Sequence, residues 1–169
     1  MREVLFRGKR KDNGEWVYGY YLQIGDVGKL HYILTGKLAI RNGNVGFEQY
    51  EVIPETVGQY TGLTDKNGKK IFDGDIVEIG HSIHHYREDE FPETYRPRRA
   101  HSWHWNDEEK AFLYKRNYVV EWKQKDARWI LRNGSDQHDL RRISLSMHNG
   151  VVISNIHDNP ELLKGNAKS

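Results

Sequence analysis

The sequence predicts an all-β protein: a small antiparallel barrel or sandwich with a short C-terminal helix and a long loop insertion. Three observations carry this expectation. Apolar side chains alternate with period two in several short segments. Five Asn-Gly pairs, at Asn13-Gly14, Asn42-Gly43, Asn67-Gly68, Asn133-Gly134 and Asn149-Gly150, punctuate those segments. Asn and Gly tolerate the positive φ that type I′ hairpin turns need. Helical signals are confined to two short stretches.

Taken in order, Met1–Lys11 is followed across Asn13-Gly14 by Glu15–Gln23. There Trp16, Tyr18 and Tyr20 fall on one strand face and Val17 and Tyr21 on the other. Lys29–Thr35 reads as a strand through Leu30, Tyr32 and Leu34. Thr61–Thr64 and Lys70–Phe72 flank Asn67-Gly68, and the turn Asp73-Gly74 delivers a strand at Asp75–Ile79. Tyr118–Lys123 and Ala127–Arg132 bracket a polar turn and predict a hairpin. Arg142–His148 alternates through Ile143, Leu145 and Met147, then turns into Val151–Ile156. Asn159-Pro160-Glu161 resembles a helix start, with Asn as cap, Pro at the first position and Glu in the first turn. Gly165 limits that helix, near 159–164, to one or two turns. Asn106-Asp107-Glu108-Glu109 resembles a capping box and predicts a second short helix before Phe112. Residues 81–117 lack clear alternation and hold two of the four Pro, so they read as a long inserted loop. The division expected is an N-terminal β section, 1–58, and an SH3-like β section, 59–169, carrying the insertion.

Composition narrows the function classes. The 169 residues contain 26 Lys and Arg against 24 Asp and Glu, a net charge of +2. The balance is local: residues 1–80 hold 11 basic and 11 acidic groups, residues 81–117 hold 7 and 7, and residues 118–169 hold 8 and 6. No section is a basic domain of the kind that marks nucleic-acid binders. Cys is absent, which excludes disulfides, thiolate metal sites and a cysteine nucleophile. No apolar window is long enough to span a membrane. The first ten residues lack the apolar run of a signal peptide, so the cytoplasm is the compartment expected. The 5 Trp, 10 Tyr and 5 Phe supply bulk for a core despite the modest apolar share of 37%.

Two basic runs are candidate phosphate contacts: Arg7, Lys9, Arg10 and Lys11, and Arg96, Arg98 and Arg99. Solvated loops explain such short runs more simply. Five of nine His lie in the insertion: His81, His84, His85, His101 and His104. The spacings His81/His85 and His101/His104 would suit a metal only on helices, and no helical period surrounds them. The Asp65–Asp75 region fails the calcium-loop pattern, because Leu63 and Thr64 occupy its first positions when Gly68 takes the glycine place. A hairpin explains that region better. No serine lies in a nucleophile elbow, and spacing singles out no carboxylate pair. No enzyme activity and no cofactor are therefore expected. Trp16, Tyr18, Tyr20, Trp122 and Trp129 could alternatively form a stacking platform for single-stranded nucleic acid.

Several stretches carry a resemblance. They are Trp16-Val17-Tyr18-Gly19, the Pro54–Leu63 run with Asp65-Lys66-Asn67-Gly68, Gly74-Asp75-Ile76-Val77, Val119-Val120-Glu121-Trp122, and Asn155-Ile156 with Asn159-Pro160-Glu161-Leu162-Leu163. In these the chain resembles the YopX family of phage and prophage proteins, over nearly its whole length. The resemblance implies a small, mainly β protein of mobile elements and brings no catalytic residues. The chain departs from the family at Arg7-Gly8-Lys9, where members have an Arg-Ala-Trp-like start. The segment after Val77 is variable in the family and long here. The reading is a non-enzymatic accessory protein of the bacterial cytoplasm. It would work by binding as a homo-oligomer, with protein or nucleic-acid partners open and no membrane. The alternatives are a nucleic-acid-binding small barrel and, last, a metal-dependent enzyme built on the insertion.

Overall fold

The computed structural model describes residues 4–26, 29–83, 103–106, 111–140 and 150–163. Within them the chain is mostly antiparallel strand and forms two six-stranded sheets. It divides into two compact units, Met1–Leu63 with Lys70–Gly74, and Thr64–Lys69 with Asp75–Ser169.

The first unit contains β1 (Phe6–Lys9), β2 (Trp16–Ile24), β3 (Leu30–Arg41), β4 (Asn44–Glu51), β5 (Gly58–Thr64) and β6 (Lys70–Phe72). Their order in the sheet is β4-β3-β2-β1-β5-β6. β2 changes partner midway: Trp16 to Gly19 pair with β1, and Tyr20 to Ile24 pair with β3. Gly19 sits at the change because a Cβ there would lie 1.9 Å from the Leu34 carbonyl oxygen. Asn42-Gly43 joins β3 to β4 with positive φ at both residues, 51° and 79°, as a type I′ turn requires. At Asn13-Gly14, Asn67-Gly68 and Asn133-Gly134 only the glycine has positive φ, so those turns are of other types. Val17, Ile33 and Val52 form the core of this unit, with Phe6, Tyr21, Tyr50 and Val57 packed around them.

The second unit contains β7 (Asp75–Ile83), β8 (Trp103–Asn106), β9 (Ala111–Lys123), β10 (Arg128–Asn133), β11 (Asp136–Asp139) and β12 (Val151–Asn155). The order is β11-β10-β9-β7-β12, and β8 also pairs with β9. Ile76 and Val77, Val119 and Val120, and Ile130 and Leu131 are buried as consecutive pairs. Adjacent strand residues point to opposite faces, so both faces of these central strands are covered.

Three sequence expectations change. Neither sheet closes into a barrel among the described residues. In the first unit the lone bridge of Arg10 with Val52, flanked by the Ile53 N–H to Lys9 carbonyl bond of 2.8 Å, draws the ends of β1 and β4 together. A barrel needs a ladder along the whole seam, and one bridge does not supply it. Residues 81–117 are not one long loop. β7 runs on to Ile83 and pairs with β9 as far as Phe112. The helix expected to follow Asn106 falls on residues 107–110, outside the described set; on either side of them β8 and β9 pair, with Asn106 opposite Ala111. The C-terminal helix is a single 3-10 turn, Pro160–Leu163. The Asn159 side-chain oxygen accepts from the Ser154 hydroxyl at 2.7 Å, so it is engaged by a side chain outside that turn. The strand expected at Arg142–His148 lies outside the described residues.

Candidate functional site

The N-terminal basic run folds back on its own unit. Arg7 is buried, with its guanidinium 4.7 Å from the Trp16 ring centre and 5.0 Å from that of Phe72. Its Nη2 donates to the Asp73 carbonyl at 3.2 Å. Phe72 packs in turn against Tyr18 and Tyr60. Lys9 Nζ lies 5.6 Å from the Trp16 ring centre. Arg10 chelates the Asp12 carboxylate and stacks on Tyr50, 3.9 Å from its ring centre. That charge-assisted bond holds the Asp12 carboxyl below the usual aspartate range. Lys11 pairs with Glu51. All four cations thus make contacts within the fold. Glu48 accepts hydroxyls from Thr35 at 2.6 Å and Tyr50 at 3.1 Å, in that order of effect, and its pKa is lowered.

The Asp65-Lys66-Asn67-Gly68 motif is a backbone clamp. Asp65 Oδ1 accepts the N–H groups of Asn67 at 2.8 Å and Lys69 at 2.9 Å, and Oδ2 accepts that of Val152 at 3.0 Å. Burial alone would raise its pKa. The donors from Val152, Lys69 and Asn67, aided by the Lys69 charge, outweigh burial and hold the carboxyl below the usual range. Three lone pairs committed to backbone donors match a loop-fixing role.

Of the histidines proposed as ligands, His84, His85 and His101 lie outside the described residues, as do Arg96, Arg98 and Arg99. His81 stands opposite Tyr114 and His104 opposite Leu113 in register, on the two strands flanking β9. Among the described residues, no three His, Asp or Glu converge as a metal site. Trp122 and Trp129 face each other across β9 and β10, ring centres 5.1 Å apart at 67°. Trp129 is buried and Trp122 is 43% exposed.

The feature sequence reasoning missed is a face of the first unit. On β2, Val17 and Gly19 point to the core, while Tyr18, Tyr20, Leu22 and Ile24 are exposed. The register continues that face across β3 and β4. Tyr20 pairs with Leu34, which pairs with Gln49; beyond a bulge Leu38 pairs with Phe47 and Ile40 with Val45. Leu38, Ile40, Val45 and Phe47 are 61–76% exposed. A shallow depression of about 290 Å³ lies beside Leu34, Val45, Phe47 and Gln49. The signal was present in the sequence: Leu38 and Ile40, then Val45 and Phe47, alternate symmetrically about Asn42-Gly43.

Among the described residues, no helix is long and apolar enough to cross a membrane. No curated protein matches the chain. A crystal structure of protein EF1440 from Enterococcus faecalis is similar in fold, with a TM-score of 0.52 and 21% identity. The match covers 96% of this chain and 99% of that one. The family model described as YopX protein matches residues 5–164. By that match, spanning nearly its whole length, the chain belongs to the YopX protein family.

Proposed function

We propose that this is a non-enzymatic accessory protein of phages and prophages that works by binding, as a homo-oligomer, in the cytoplasm of the bacterial host. One observation supports the reading most: the wide apolar face of β2, β3 and β4 exposed to solvent. Soluble monomers rarely leave contiguous apolar patches larger than a few hundred Å² uncovered, and larger ones mark interaction surfaces. The charge pattern agrees: of the candidate phosphate contacts, Arg7, Arg10 and Lys11 are engaged with Trp16, Asp12 and Glu51. We read the second unit as an SH3-like section from the antiparallel succession of β7, β9, β10 and β11. Light scattering on a sizing column tests the assembly. The expected mass is a multiple of the chain mass at micromolar concentration, and a strict monomer counts against the reading.

A further inference from the structure

We propose that the exposed face of β2, β3 and β4 is where a second copy of this chain packs, face to face about a two-fold axis. The inference rests on the homo-oligomer reading above and names its surface. The centre of the contact is the β3–β4 hairpin end, where Leu38, Ile40, Val45 and Phe47 form two directly opposed cross-strand pairs on one face. Tyr20 and Leu22 extend the same face along β2.

Size is the first argument. Nine large apolar side chains on β2, β3 and β4 are between 39% and 76% exposed. At about 100 Å² each, they offer about 900 Å². A standard interface takes about 800 Å² from each partner. The patch is therefore as large as one side of a stable dimer needs.

Self-complementarity is the second. A two-fold contact sets each patch against its own image, so like charges at its centre would repel. On β4 this face carries Val45, Phe47 and Gln49, all uncharged, before Glu51 at the end of the strand. Glu51 is already paired with Lys11. A partner of either charge finds no complement at the centre, whereas an identical apolar face does. Strand addition along the outer edge of β4 is the competing geometry. It would lengthen the sheet and leave the apolar face wet, so face packing removes more apolar surface from water.

Sedimentation equilibrium of the full chain tests the proposal, using the wild type, Ile40→Lys, Phe47→Lys and the control Ile153→Lys on β12. Far-UV circular dichroism confirms that each variant is folded, and Leu38→Gln serves if a lysine variant is not. The expected result is a self-associating wild type and control. Each face variant should weaken association roughly thirty-fold or more, as loss of a central anchor does. A wild type that associates with face variants that associate equally well overturns the proposed surface and leaves the homo-oligomer reading standing. A wild type that sediments as a single chain overturns both, including where the face instead takes up a different protein.

Discussion

At Asp65 a single carboxylate serves three backbone donors, and substitution separates its roles. Asn at this position keeps one oxygen for the Asn67 and Lys69 N–H groups but sets an amide NH₂ against the Val152 N–H. Asp65→Asn is expected to cost about 2 kcal/mol at neutral pH, the scale of a buried donor left unmet. The folded pKa lies below the reference value of 3.8. The stabilisation is therefore complete above that value and is lost as pH falls through the folded pKa. Wild-type melting temperature should fall more steeply below about pH 4 than that of Asp65→Asn; parallel curves would show that the carboxylate is not the titrating group. Gly19 is a second residue fixed by its surroundings, since any Cβ meets the Leu34 carbonyl. Gly19→Ala should cost about 3 kcal/mol by forcing β2 away from β3. Chemical denaturation checks this, and a change below about 1 kcal/mol would mean that the strands can part at little cost.

Among the described elements, the β9–β10 connection stores strain. Gln124–Asp126 forms a 3-10 turn, and Ala127 follows in the left-handed region with φ 47°. An L-residue with a Cβ costs about 1–2 kcal/mol there. Ala127→Gly should therefore raise stability by about 0.5–1 kcal/mol after the extra chain entropy of glycine is subtracted. A thermal melt showing no gain would mean that the turn relaxes around alanine. The Trp122–Trp129 pair beside it provides a fluorescence reporter for that measurement. The β3–β4 hairpin needs no such correction, because Asn42-Gly43 supplies the two residues best suited to positive φ. Hairpins of this kind were legible because turn chemistry is local. β8 was not, because the four residues Trp103–Asn106 are too few to show a period and depend on ladder partners for their conformation.

For the molecule as a whole, self-association through the β2–β4 face has a thermodynamic consequence. A partner that binds only the folded chain stabilises it by mass action. The melting temperature of the wild type should rise with protein concentration, and that of Phe47→Lys should not. Differential scanning calorimetry over a hundred-fold concentration range checks both. Equal shifts in the two proteins would place the contact elsewhere.

The sequence by itself determined the all-β class, the hairpins at β1–β2 and β9–β10, and membership of the YopX family. Period-two alternation and turn residues act over a few positions, and a long specific run such as Glu55–Leu63 survives as a pattern. Tertiary structure alone decided which face of β2 is covered. That strand is apolar or aromatic on both sides, so its alternation gives a period but not a direction. The core of Val17, Ile33 and Val52 selects one side and leaves Tyr20, Leu22 and Ile24 uncovered. Tertiary structure also decided the fate of the basic run. Arg7 reads as a surface cation until the fold brings Asp73, 66 residues away, and Phe72 against it. Such pairings join residues far apart in the chain, and no local pattern encodes them.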